Sequence, residues 1–141
     1  MSRPTEPSPL VAALDRVGDR WSLLIVDALL ERPSRFSELA EALPGIAPNI
    51  LTDRLRRLER ERIVLSTPYQ QHPPRMSYAL TADGRALASA IRLLEDWGAG
   101  HLDDAALRHT TCGTRLEARW YCPTCATLVE GPDASDPDRS L

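Results

Sequence analysis

The sequence predicts a mainly α-helical fold with one small β-hairpin, followed near the C-terminus by a second, short hairpin. Apolar residues recur with the period of a helix up to about residue 61 and again after residue 81. Two short stretches between them, Ile63–Leu65 and Ser77–Leu80, have the composition of strands. All three cysteines and one histidine lie within residues 109–125, which indicates a separate small module.

Composition and charge are those of a cytoplasmic globular protein. Hydrophobic residues make up 43% of the 141 residues and charged residues 26%. No apolar run approaches the roughly 20 residues that cross a bilayer, and the first ten residues do not resemble a signal peptide. The net charge of −3 argues against a uniformly basic nucleic-acid-binding domain. However, residues 54–62 (RLRRLERER) contain five arginines against two glutamates, so a local basic face is compatible with the sequence.

Two helices are predicted after a flexible, proline-containing arm at residues 1–8. The first runs from about Leu10 to Val17 and stops at Gly18. Asp19 is a suitable N-cap for the second, which continues to about Leu30 before Pro33. The residues of this helix that we expect to face the core are Trp21, Leu24, Ile25, Ala28 and Leu29.

The next two helices are separated by a tight turn. Ser34 is the expected N-cap of a helix over residues 35–43, and Pro44-Gly45 forces a turn. A fourth helix begins near Pro48 and ends at about Glu61. Its apolar positions are Leu51, Leu55 and Leu58, and its opposite, polar face carries Asn49, Thr52, Asp53, Arg56 and Arg60.

The two predicted strands are joined by the segment TPYQQHPPRM, which we expect to be an extended hairpin loop. Thr81 then caps one long last helix, from about Ala82 to Leu102. Its apolar residues cover more than one face of the helix. One face can pack on the domain, and the remaining apolar residues are available to a partner. Residues 9–104 are therefore predicted to form one domain for DNA binding and dimerisation.

The order of helix, tight turn, helix and hairpin is that of a winged helix-turn-helix, in which the second of the two helices enters the major groove of DNA. Asn can pair with adenine and Arg with guanine, so the start of the fourth helix would read bases. Arg35 would contact a phosphate, and the hairpin would touch the DNA backbone or minor groove. The candidate DNA-binding residues are Arg35, Asn49, Thr52, Asp53, Arg56, His72 and Arg75. The alternatives are a merely solvated face and a domain that binds only protein.

Several motifs in order resemble the HxlR family of bacterial winged-helix regulators. They are GDRWSLLI, RFSELAEALPGI, LTDRLRRLE and PPRMSYALT, within a resemblance that extends from about Pro9 to Gly100. The resemblance implies a dimeric transcription factor that pairs through its first and last helices. The implied dimer residues are Leu10, Leu14, Leu93, Leu94 and Trp97, for each of which a place in the core is the alternative.

The sequence departs from the family pattern at two positions. Many relatives have a cysteine near the start of the first helix, through which some sense oxidants, and Ser8 stands at the aligned position here. That thiol mechanism is therefore not expected. The recognition helix of relatives often opens with a lysine where this chain has Asn49, so one DNA contact differs.

The C-terminal cluster has the spacing H-x2-C-x9-C-x2-C, formed by His109, Cys112, Cys122 and Cys125. Two such pairs supply the four ligands that tetrahedral Zn²⁺ prefers, so residues 105–130 are predicted to be a zinc-ribbon-like module with structural zinc. Leu116, Ala118 and Trp120 alternate like one side of its hairpin. A Cys122–Cys125 disulfide and unliganded thiols are the alternatives, and water or His101 could replace His109. Residues 131–141 are expected to be a disordered acidic tail.

These observations predict a homodimeric, sequence-specific regulator of double-stranded DNA, with repression as the expected mode of action. No phosphate-binding loop and no hydrolase or metalloprotease motif is present, so no enzyme is expected. The competing hypotheses are a protein-binding adaptor and a metal- or redox-responsive sensor that acts through the Cys/His cluster. The sequence leaves room for an unidentified small-molecule effector and predicts no membrane partner.

Overall fold

The computed structural model describes residues 8–100, 102 and 107–130. The predicted acidic tail at 131–141 and nearly all of the predicted N-terminal arm lie outside these residues. The chain divides into two compact units, Met1–Arg92 and Leu93–Leu141. No helix in the described part of the chain is long and apolar enough to span a membrane.

Four helices form the first part of the N-terminal unit: α1 (Pro9–Val17), α2 (Arg20–Glu31), α3 (Phe36–Ala42) and α4 (Pro48–Arg60). The predicted cap of α2 is confirmed, since the Asp19 carboxylate accepts a hydrogen bond from Ser22 N at 3.0 Å. The turn between α3 and α4 is also confirmed. Gly45 has φ +87° there, a backbone conformation that favours glycine.

A three-stranded antiparallel sheet completes this unit: β1 (Ser34–Arg35), β2 (Val64–Gln71) and β3 (Pro74–Leu80), in the order β1-β3-β2. The prediction that Ser34 caps α3 is wrong, because Ser34 is buried and pairs with Tyr78 of β3. The prediction of a long hairpin loop is also wrong. Most of that segment is strand, and Pro68 lies in β2, an edge strand, where proline is tolerated.

The core lies between α2, α3, α4 and the sheet. Its fully buried side chains include Ile25, Leu39, Leu51, Leu55 and Leu58, so the apolar face predicted for α4 is confirmed. In α2 the buried face is rotated from the predicted one. Leu24 is 36% exposed, whereas Ser22 is fully buried with its hydroxyl donating to Asp19 Oδ2 at 2.6 Å.

The predicted long last helix is two helices, α5 (Ala82–Ala86) and α6 (Ala88–Ala99), with a break at Leu87. Leu87 N donates to Gly84 O at 3.2 Å, which tightens the last turn of α5 and ends it. Thr81 caps α5 as predicted, because its hydroxyl accepts a hydrogen bond from Gly84 N at 3.0 Å.

Gly84 is required by a close approach of two backbones. A Cβ atom at this position would lie 2.2 Å from the carbonyl oxygen of Ile63. We expect Gly84→Ala to lower the free energy of unfolding by about 1–3 kcal/mol or more, measured by urea denaturation. Gly98→Ala in α6 is the matched control: no heavy atom of the described residues lies within 4 Å of its added Cβ. It should be neutral or slightly stabilising, and equal losses in both variants would contradict this explanation.

In the C-terminal unit, β4 (Trp120–Cys122) and β5 (Thr127–Val129) form an antiparallel hairpin. An isolated bridge joins Arg108 to Arg115 ahead of it. A hairpin in the predicted module is therefore confirmed. The strand-like alternation predicted from Leu116 is wrong before Trp120, since residues 116–119 are in no strand.

Candidate nucleic-acid interface and C-terminal turns

The outward face of α4 presents polar side chains to solvent. Asn49, Asp53, Arg56 and Arg60 are exposed, and Thr52 is half-buried with its hydroxyl donating to Pro48 O at 3.0 Å. The opposite face of the helix is fixed in the core. The structure thus brings four of the predicted DNA-binding residues, at positions 49, 52, 53 and 56, onto one accessible surface.

The arginines of residues 54–62 have divided roles. Arg54 Nε donates to Asp19 Oδ1 at 3.0 Å and Arg57 Nη1 to Asp19 Oδ2 at 3.4 Å. Arg57 also donates to the backbone oxygen of Asp15. These two arginines therefore hold α4 against the start of α2. Arg56 is exposed on the outer face, where it is accessible to a ligand.

Asp19 is the anchor of this arrangement. Its partial burial acts to raise the pKa, but hydrogen bonds from Ser22 and Arg54 outweigh burial and hold the pKa below its ordinary value of 3.8. One carboxylate thus caps α2 and pairs with two arginines of α4. Sequence analysis predicted the cap but missed the pairing, since Asp19 and Arg54 are 35 residues apart.

A groove beside the wing joins two of the predicted residues. Arg35 and Arg75 line it together with Phe36, Ser37, Tyr69, Pro74, Met76 and Tyr78. The Arg35 guanidinium lies 4.4 Å from the centre of the Tyr69 ring, a cation–π contact. The register of β2 against β3 shifts between Pro68 and Gln70, so Tyr69 lies in a bulge, a feature that can redirect a side chain.

Tyr69 is a residue that sequence analysis missed. It lies within the segment predicted as a loop, and its pairing with Arg35 depends on the β1–β3 contact, for which the sequence carries no short-range signal. His72 is exposed at the turn between β2 and β3, where its carbonyl accepts a hydrogen bond from Gln70 Nε2 at 3.1 Å. His72 is not among the groove-lining residues.

The residues expected at a dimer interface are exposed in the single chain. Leu10 and Leu14 lie on α1 in the N-terminal unit, and Leu93, Leu94 and Trp97 lie on α6 in the C-terminal unit. Trp97 is the most accessible of them, with 73% of its surface exposed. None of the five belongs to the buried core, which was the alternative explanation for each.

The Cys/His cluster forms two pairs. His109 Nδ1 lies 3.3 Å from Cys112 Sγ, and the Thr114 hydroxyl lies 3.3 Å from the same sulfur. Hydrogen bonds from Thr114 and from His109 lower the pKa of Cys112 to about 7. In the second pair, hydrogen bonds from Cys125 and from the backbone of Thr124 lower the pKa of Cys122.

The structure does not bring these pairs into one cluster. Among residues 8–100, 102 and 107–130, no three His, Cys, Asp or Glu side chains are close enough to share a metal ion. The two residues within each pair, His109 with Cys112 and Cys122 with Cys125, nevertheless lie next to each other. His101, the alternative ligand, lies outside the described residues.

Three helices, a short turn, a helix with a polar outer face and a β-wing define a winged helix-turn-helix, a class of transcriptional regulators. The model of the HxlR-like helix-turn-helix family matches residues 16–106. The chain belongs to this family, as the resemblance predicted, and is a transcriptional regulator of the helix-turn-helix type. That class implies DNA binding.

Similar proteins agree with this assignment. Rv3095 of Mycobacterium tuberculosis, an uncharacterised HTH-type transcriptional regulator, is 38% identical over 122 residues, which cover 83% of this chain and 77% of the relative. Among solved structures, the HTH-type regulator YtcD matches with a TM-score of 0.64 and 34% identity, over 69% of this chain and 99% of that one. The reduced form of the redox regulator HypR matches with a TM-score of 0.64 and 33% identity, over 68% and 95%.

Proposed function

We propose that this regulator binds double-stranded DNA sequence-specifically as a homodimer and acts as a repressor. The observation that carries the proposal is the polar outer face of α4, whose inner face is fixed by buried leucines and by Asp19. A rigid helix that follows a tight turn can enter the major groove with its N-terminal residues at the base edges. Asn49 would then read adenine and Arg56 guanine, with Thr52 and Asp53 as further base contacts.

The wing groove supplies the second part of the proposed interface. Arg35 is exposed, and its guanidinium is oriented by the Tyr69 ring and lies in the same groove as Arg75. Two arginines on one groove suit phosphate oxygens, which fix the register of a protein on DNA without reading its sequence. His72, at the wing tip, would reach the backbone or the adjacent minor groove.

The exposed apolar residues of α1 and α6 support dimerisation. Five large apolar side chains accessible on two helices are costly in water and are buried when two copies pair. A symmetric dimer would place its two α4 helices roughly 34 Å apart, in successive major grooves of one DNA face. The expected site is therefore an inverted repeat.

In vitro selection from random duplex DNA at about 0.15 M salt tests this proposal, because that ionic strength suppresses weak unspecific contacts. We expect enrichment of an inverted repeat with half-sites about one helical turn apart. Absence of enrichment with folded protein would contradict sequence-specific binding and favour the adaptor hypothesis. Repression is tested separately: a reporter driven by a promoter that contains the selected site should be lower in the presence of the regulator.

The contact between Arg35 and Tyr69 predicts different effects on DNA affinity for substitutions at the two positions. Arg35→Ala should weaken binding to all duplexes alike and reduce the salt dependence of log K by about one phosphate contact. Tyr69→Ala should weaken binding about 2- to 5-fold, the worth of an exposed cation–π contact, whereas Tyr69→Phe should retain it because the ring remains. The measurement is fluorescence anisotropy across a salt series. A change confined to one DNA sequence would show instead that this groove reads bases.

A further inference from the structure

The two C-terminal turns repeat one geometry. In the first, His109 and Cys112 are followed by Gly113 with φ +72°; in the second, Cys122 and Cys125 are followed by Ala126 with φ +54°. Each turn is closed between its first residue and the residue five positions later. His109 N donates to Thr114 O at 2.8 Å, and Cys122 pairs with Thr127 across the β4–β5 hairpin.

The second turn adopts this geometry against a conformational preference. A left-handed backbone brings Cβ close to the following carbonyl oxygen, so it favours glycine, and Ala126 adopts it nevertheless. The turn directs the backbone N–H groups of Thr124 and Cys125 toward Cys122 Sγ. In the first turn the N–H and hydroxyl of Thr114 face Cys112 Sγ. Both turns therefore fold the chain around a cysteine sulfur.

The described part of the module, residues 107–130, has no hydrophobic core that would account for its folding. None of residues 107–130 is buried, and the large apolar side chains Leu116, Trp120, Tyr121 and Leu128 are all exposed. The three cysteines are free thiols, so no disulfide closes it. Modules of this size without a core usually need a disulfide, a metal or oligomerisation for stability.

We propose that His109, Cys112, Cys122 and Cys125 together bind one Zn²⁺, which draws the two turns into a single site. Three sulfurs and one imidazole nitrogen form a donor set that Zn²⁺ takes in closed, structural sites. Binding releases the remaining thiol protons to solvent, and its free energy becomes folding free energy of the module. Because all four positions are filled by the protein, the metal serves folding and not catalysis.

The test is metal content and ligand identity in the full-length chain. Protein prepared metal-free under reducing conditions is titrated with Zn²⁺ alone, and with Co²⁺ as a spectroscopic substitute. We expect one Zn²⁺ per chain, and a Co²⁺ complex with the visible bands of tetrahedral coordination and thiolate charge transfer. Binding of no metal, or a Co²⁺ spectrum without thiolate bands, would overturn the proposal.

Variants from each turn test whether the two turns share one ion. Cys112→Ala and Cys125→Ala should each lower Zn²⁺ affinity at least 100-fold. His109→Cys should retain stoichiometric zinc, because the new thiolate replaces the imidazole as the fourth ligand. His72→Ala, which removes a histidine from the wing, is the matched control and should bind zinc like the wild type. Far-ultraviolet circular dichroism of each variant verifies that the helices are intact. If Cys112→Ala binds zinc as tightly as the wild type, the site does not include the first turn and the proposal fails.

Discussion

Replacement of Arg56 by alanine is expected to weaken binding to the selected duplex by roughly 5- to 150-fold, the equivalent of 1–3 kcal/mol for a bidentate arginine–guanine contact. Arg56 is exposed on the outer face of α4, while Leu55 and Leu58 on either side hold the helix in the core. Removal of its side chain therefore takes away a ligand contact and leaves the fold unchanged. Fluorescence anisotropy with the selected duplex and with an unrelated duplex measures the effect.

Arg85→Ala is the matched control for this prediction. It removes one positive charge from an exposed position on α5, outside α4 and the wing. We expect its affinity for both duplexes to stay within about 2-fold of the wild type, since distant surface charges are screened at physiological salt. If Arg56→Ala and Arg85→Ala lower the affinity equally, or if Arg56→Ala affects both duplexes alike, Arg56 is not a base-reading residue.

Replacement of Asp19 by alanine is expected to lower the free energy of unfolding by about 2–4 kcal/mol. The loss of the α2 cap contributes roughly 1 kcal/mol, and the charged hydrogen bonds to the half-buried Arg54 and Arg57 contribute the rest. Urea denaturation followed by circular dichroism measures this loss. A DNA affinity lowered in step with stability is also expected, because α4 loses its anchor to α2.

Asp53→Ala provides the comparison, since Asp53 pairs with the same arginine. Its carboxylate is 64% exposed against 25% for Asp19, so its ion pair with Arg54 is screened by solvent. We expect a change in stability within about 1 kcal/mol. Similar losses in Asp19→Ala and Asp53→Ala would mean that burial does not decide the strength of these pairs.

The contribution of Asp19 depends on pH in a defined direction. The folded protein holds the pKa of Asp19 below its ordinary value, so the stabilisation is fully present above about pH 4 and is lost as the pH falls through the folded pKa. The difference in stability between wild type and Asp19→Ala should therefore be constant near neutrality and shrink in acid. A difference that grows in acid would contradict the assignment.

The helices and their order could be predicted because their signals are local. The spacing of Leu51, Leu55 and Leu58, the cap at Asp19 and the turn at Gly45 each lie within a few residues of the structure they determine. The polar face of α4 follows from the same periodicity. The candidate recognition residues of this helix could therefore be placed on one surface from the sequence alone, as could each Cys/His pair within its own turn.

Tertiary contacts decided the features that join distant parts of the chain. Ser34 is not the cap of α3, because its backbone pairs with β3. The wing strands are longer than predicted, because every residue of β2 except Tyr69 pairs with a residue of β3. The last helix broke at Leu87, where the short helix α5 packs Gly84 against the Ile63 carbonyl.

The sequence by itself determined the family, the helix order, the polar face of α4 and the spacing of the Cys/His pairs. Only the tertiary structure decided that Asp19 anchors α4 and that Tyr69 orients Arg35. The physical reason is the range of the interactions. Periodicity and capping act over one or two helical turns, whereas ion pairs, cation–π contacts and strand pairing join residues that the fold alone brings together.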